Sequence, residues 1–145
     1  MISSEDIIKA INDKIEDNFP GVDKQSTDIK EGFERPCFYV QIDDNKANKL
    51  NPSSKEKTLT IRIYYFPKDR YENRIELLEK QDTLENMFFD GLQVNENFYI
   101  PSLDNELTFT TVDGVLQLSF DLYYVQLLDD EYGELLEELE IGKFN

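Results

Sequence analysis

An α+β fold of two layers, an antiparallel sheet with two main helices packed on it, follows from three features of this sequence. Two stretches carry apolar residues at helical spacing, one run from Lys57 to Phe66 alternates strictly between two faces, and a second alternating pair is joined by Asp113-Gly114. Helices with an apolar stripe and a sheet with an apolar face must bury them against one another, and that requirement gives the layers.

The first element is a helix. Ser3 and Asp6 stand at capping-box spacing, and Ile7, Ile8, Ile11 and Ile15 fall on one face while Glu5, Asp6 and Lys9 stay polar. Pro20 disfavours helical dihedrals at Phe19 and Gly21 follows, so the helix ends near Phe19. Residues from Val22 to Lys30 are polar and weakly patterned, a strand or a turn. From Cys37 to Asp43, Phe38, Val40 and Ile42 alternate with Tyr39, Gln41 and Asp43, a strand that tolerates Pro36 at its start. The polar run Asp44 to Glu56 reads as a connecting loop, longer than the usual median of about 4–6 residues. The next strand, Lys57 to Phe66, sets Leu59, Ile61, Ile63 and Tyr65 against Thr60, Arg62, Tyr64 and Phe66.

Pro67 stops that strand, Asp69 and Glu72 repeat the capping-box pattern, and Ile75, Leu78, Leu84 and Phe88 recur at helical spacing up to Gly91. Phe98-Tyr99-Ile100 is expected as a short edge strand. Leu107, Phe109 and Thr111 then pair, through Asp113-Gly114, with a long strand from Val115 to Gln126. Its core face is Leu116, Leu118, Phe120, Leu122 and Tyr124, opposite Gln117, Ser119, Asp121 and Tyr123. Residues 1–127 form one domain on this reading. Residues 128–145 are an acidic extension in which Asp129, Asp130, Glu131, Glu134, Glu137, Glu138 and Glu140 surround Leu135, Leu136, Leu139 and Ile141. It is either a short acidic helix or a frayed end.

Composition narrows the function. A chain of 145 residues suits one domain that buries about 70% of its unfolded surface. With 31 acidic against 15 basic residues the net charge is −16, which repels phosphate backbones and anionic lipid surfaces. Neither nucleic acid nor a membrane is an expected ligand. No apolar run approaches the roughly 20 residues that span a bilayer, and the start MISSEDIIK has no signal-peptide pattern, so a soluble protein made in the cytoplasm is expected.

No enzyme template can be written. The sequence has no His, which removes Ser-His and Cys-His nucleophiles, His-ligated zinc and the commonest general base. The single cysteine, Cys37, sits at a strand start and reads as a buried structural thiol. Asp129-Asp130-Glu131 lacks the glycine turn and distal ligand of a calcium loop, and no phosphate-cradling motif occurs. No catalytic, cofactor-binding or metal-ligating residue is therefore expected, and the protein is expected to act by docking onto other subunits.

Two features suit such docking. Lys46, Lys49, Lys55 and Lys57 make a positive cluster in and beside the long connection, which either pairs with an acidic neighbour or simply keeps an exposed loop soluble. Tyr64 and Phe66 lie opposite Ile61 and Ile63, and Tyr123 and Val125 lie opposite Leu122, so both sheet faces are partly apolar. Either helices cover both faces, or the second face is a Tyr-rich oligomer interface. Lys46, Lys49, Lys55, Lys57, Tyr64, Phe66 and Tyr123 are the candidate interface residues.

Four motifs occur in order: Glu31-Gly32-Phe33-Glu34-Arg35-Pro36-Cys37-Phe38, Ile61-Arg62-Ile63-Tyr64-Tyr65-Phe66-Pro67, Leu77-Leu78-Glu79-Lys80-Gln81-Asp82-Thr83-Leu84-Glu85 and Val112-Asp113-Gly114-Val115-Leu116. As a set they resemble the small tail terminator proteins of phages, prophages and phage-tail-like bacteriocins from low-GC Gram-positive bacteria. The resemblance runs from the first helix to about Gln126. It implies a ring subunit, hexameric, that caps the head-proximal end of a tail tube and stops its polymerisation. It also implies a contractile tail, partners among tube, sheath and neck proteins, and a final place at the top of the tail. DNA at most passes through the ring, whose negative charge would avoid adhesion. The alternatives are another neck, completion or baseplate subunit, and an acidic DNA mimic that occupies a basic groove. Salt separates the last from the others, because binding to a basic groove falls steeply as salt rises.

Overall fold

The computed structural model describes residues 2–25, 34–102 and 106–128. The order of elements is α1 (Ser4–Asn18), β1 (Asp23–Gln25), β2 (Cys37–Asn51), β3 (Ser54–Phe66), α2 (Arg74–Phe88), β4 (Gly91–Asn95), β5 (Phe98–Pro101), β6 (Thr108–Val112) and β7 (Val115–Leu127). Five strands form one sheet in the order β1-β2-β3-β7-β6, and β4 and β5 form a separate two-stranded sheet. The fold is α+β. The large sheet is antiparallel except at one edge, where β1 runs parallel to β2 over Asp23 to Gln25.

α1 begins as its first residues require. Ser3 Oγ accepts from the Asp6 N–H at 3.1 Å, and Asp6 Oδ2 accepts from the Ser3 N–H at 2.9 Å, the reciprocal capping box. The Ser3 N–H, and then the Ser3 hydroxyl, hold the Asp6 carboxyl below its usual range. Ile7, Ile11 and Ile15 are fully buried, whereas Ile8 is only half-buried at the margin of the core.

α2 departs from expectation in start and phase. Asp69 does not cap the helix; its Oδ1 accepts from Tyr71 and Glu72 N–H groups in a turn, and Asn73 is the N-cap. Leu77, Leu84, Met87 and Phe88 face inward, while Ile75 and Leu78 are exposed. The phase is set at entry: Glu76 Oε2 accepts from the Tyr65 hydroxyl and from the Lys68 N–H, tying the first turn to the end of β3. That contact turns the adjacent Leu77 into the core.

Both helices pack on the same face of the large sheet. Phe38 and Val40 of β2, Leu59, Ile61, Ile63 and Tyr65 of β3, and Leu116, Leu118, Phe120, Leu122 and Tyr124 of β7 join the helical residues in one buried cluster. Phe88 stacks on Phe120 with ring centroids 5.3 Å apart, locking α2 to β7, and Phe38 touches both Phe19 and Tyr65. Residues 98–100 are a strand as expected, but they pair with β4 in a hairpin whose Leu92 and Ile100 enter the same core. Gly91 starts that hairpin at φ 126°, and a Cβ there would press on the Ile100 carbonyl and lie 2.8 Å from Pro101 Cα.

The β6–β7 hairpin turns at Asp113 (φ 52°) and Gly114 (φ 76°), the left-handed pair that a two-residue hairpin turn needs. The acidic extension expected from residue 128 onward lies, after Leu128, outside the described residues.

Candidate assembly surface

The loop expected between Asp44 and Glu56 is instead strand. β2 and β3 run on as a ladder to Asn51 and Ser54, with Lys46 opposite Thr58, Ala47 opposite Lys57 and Lys49 opposite Lys55. The turn is tight: Asn51 Oδ1 accepts from the Ser53 N–H at 2.9 Å and from the Ser53 hydroxyl at 3.0 Å. β7 follows β3 the whole way, so Lys57 lies beside Tyr124, Lys55 beside Gln126 and Ser54 beside Leu127. Hydrophobic alternation misses this extension because its residues are Asn, Lys and Asp, poor in the apolar contacts that mark strands. The available signal was Asn51-Pro52, a turn dipeptide with polar stretches on either side.

A bulge sorts the lysines. The register shifts between Ile42 and Asp44, inserting one residue and exchanging the faces of everything beyond it. Asp43 holds the bulge by an ion pair with Arg62 and accepts from Gln41 Nε2 at 2.6 Å. Past it, Lys49, Lys55 and Lys57 share the face that continues the helix-covered core, alongside buried Tyr124 and Gln126. Desolvation, and then repulsion from Lys55, pulls the Lys57 ammonium below its usual range. Lys46 takes the opposite face in the row Lys46, Thr58, Tyr123. The four lysines expected as one cluster thus occupy two surfaces.

That opposite face carries neither helix. Tyr64 and Tyr39 pack there with ring centroids 5.9 Å apart, and the Tyr123 hydroxyl donates to Glu56 Oε2 at 2.7 Å, which pushes its own acidity down. The Thr60 hydroxyl donates to Asp121 at 2.7 Å. The result is a half-buried surface of tyrosine rings, hydroxyls and paired charges. Phe66, expected on the same surface, is only 8% exposed, with the Arg35 guanidinium 5.8 Å from its ring centroid. Cys37 is buried beside it in the ladder, and burial pushes its thiol up to about 11, far from the range of a nucleophile.

Among the described residues no three His, Cys, Asp or Glu side chains are grouped to hold a metal, and no helix is long and apolar enough to cross a membrane.

No curated protein matches the chain. A solved structure that is 13% identical matches 89% of this chain and 98% of its own, with a TM-score of 0.40. The family model described as phage tail terminator protein matches residues 6–134, from the first helix to beyond β7. With so much of its length matched, the chain belongs to the phage tail terminator family.

Proposed function

We propose that this chain is the subunit of a ring that caps the head-proximal end of the tail tube and stops its polymerisation. The observation that carries this reading is the sheet face that neither α1 nor α2 covers, together with the lysine-bearing end of β2 and β3. Closing a ring by head-to-tail contacts takes two different, complementary patches on one subunit. One is the sheet extension with Lys46, Lys49, Lys55 and Lys57. The other is acidic helix surface, where Glu79, Asp82 and Glu85 of α2 are exposed on a chain of net charge −16. Tyr64 and Tyr123, half-buried on the face opposite α1 and α2, supply the rigid aromatic contacts common at interfaces. The role is structural, within the phage or phage-like tail, with the tube protein and a second copy of the chain as partners.

Electron microscopy of particles induced with and without the gene tests this reading. Overlong or headless tails of scattered length upon deletion establish termination. Normal tails on normal heads reject it in favour of a baseplate role or a DNA mimic.

A further inference from the structure

We propose that β6 of one copy of this chain adds antiparallel to β1 of the next copy and carries the sheet from subunit to subunit, an inference that rests on the ring reading above. β1 and β6 are the outermost strands of the five-stranded sheet, and among the described residues neither has a partner on its outer side. β6 lacks the features that keep an edge from pairing. Thr108-Phe109-Thr110-Thr111-Val112 has no charge, no proline and no register shift against β7, and all but Phe109 are exposed. The part of β2 that β1 leaves open is guarded by contrast, with Lys46, Lys49 and the bulge at Asp43. On β1 the Lys24 ammonium turns back to pair with Glu16 of α1 and donates to the Val22 carbonyl at 3.1 Å, so its charge does not guard that edge.

Register and direction single out a second copy as the occupant. Lys24, Phe38, Tyr65, Leu116 and Thr111 lie in one row across the sheet, so the two outer strands stand at the same level. β1 runs with β2 and therefore with β7, whereas β6 runs against β7. Closing a sheet on itself is a rotation about an axis roughly along its strands, which keeps those directions. β6 therefore meets a neighbour's β1 antiparallel, in the more stable ladder. The contact joins two different edges head-to-tail, as ring closure needs. A two-residue turn closes on a hydrogen-bonded pair, here Val112 with Val115, and bonded pairs alternate along the hairpin. Phe109 and Thr111 thus direct their N–H and C=O groups outward, towards the added strand.

Paired cysteines in the full chain, produced in cells that assemble particles, test the pairing. Within one chain Lys24 and Thr111 are four strand spacings apart in the sheet order, about 19 Å, too far for a disulfide. Lys24→Cys with Thr111→Cys, and separately Gln25→Cys with Thr110→Cys in the adjacent row, carry the reactive thiols, while Cys37 is 0% exposed and stays silent. Each pair should give a ladder of covalent multimers on a non-reducing gel after mild oxidation, whereas each single variant stops at dimer. Chains unlinked in both pairs overturn the proposal. Thr111→Pro removes an outward N–H and leaves the bonds to β7 in place, so it should give overlong tails where Thr111→Val gives normal ones. Normal tails from Thr111→Pro, in a background where deletion of the gene gives overlong tails, also overturn the pairing and leave the terminator reading standing.

Discussion

Lys49 of β2 stands directly opposite Lys55 of β3, and Lys57 follows two residues along on the same face. Like charges paired across strands work against the ladder by roughly 0.2–1 kcal/mol. The pairing persists because β7 holds the other edge of β3 through Gln126 and Tyr124, both buried, and Gln126 Nε2 also donates to the Ile2 carbonyl at 2.9 Å. A subunit that carries this internal repulsion presents concentrated positive charge on an otherwise acidic molecule.

Stability and assembly should accordingly respond to Lys55→Glu in opposite directions. The isolated subunit gains about 0.5 kcal/mol from an opposite-charge pair with Lys49, read by urea denaturation, while self-association weakens, read by sedimentation at low salt. Reversal of Lys46 or Lys49 also weakens association. Unchanged association in all three variants would remove the lysines from the interface.

Gly91→Ala should cost about 3 kcal/mol, because a side chain at φ 126° is strained and its Cβ collides with the backbone of β5. The loss would appear in thermal or urea unfolding. By contrast Gly21→Ala, at φ 82° with open space around the added Cβ, should cost about 1 kcal/mol from conformation alone.

The inner face of α1 predicts a larger loss. Ile11 is fully buried between the helix and the sheet, and Ile11→Ala should destabilise by about 2–5 kcal/mol through lost burial and the cavity left behind. Ile75→Ala, exposed on α2, should change unfolding by less than about 0.5 kcal/mol.

Acid should weaken α1. Asp6 is held below its ordinary value of 3.8 by hydrogen bonds to Ser3. A carboxyl whose folded value is lowered contributes stability that is complete above the unfolded value and disappears as pH falls through the folded one. The capping contribution is thus constant near neutrality and lost below about pH 3.8. Asp6→Asn should flatten that part of the pH–stability curve, and a curve unaltered by the substitution would contradict the capping box.

Thiol reagents should leave the native chain untouched. Burial raises Cys37 to about 11, so at pH 8 the thiolate is scarce as well as inaccessible. Reaction with a disulfide reagent should wait for denaturant and then reach one thiol per chain; rapid native reaction would show that the strand start opens.

Much of the fold was legible in apolar spacing. Ser3 and Asp6 marked the start of α1, Asp113-Gly114 marked the β6–β7 turn, and the alternation from Leu59 to Tyr65 marked the core face of β3. Each of those signals is local, arising within a few residues of the chain. α2 was legible as an element but not in its rotation, since Ile75, Leu77 and Leu78 are apolar alike and only the bond from Glu76 to the end of β3 chooses among them.

The candidate surface was the least legible part. Its lysines, tyrosines and acidic balance were determined by the sequence alone, as were the absence of histidine chemistry and the two-layer α+β class, because these depend on residue types and short-range period. Pairing of the polar run 44–56 into strands, the bulge at Asp43 that puts Lys49 rather than Lys46 on the helix-covered face, and the placing of both helices on one face were decided by tertiary structure. Each depends on partners distant in the chain, such as Lys55 beside Gln126 and Arg62 beside Asp43, whose hydrogen bonds and charges form only once the sheet has closed.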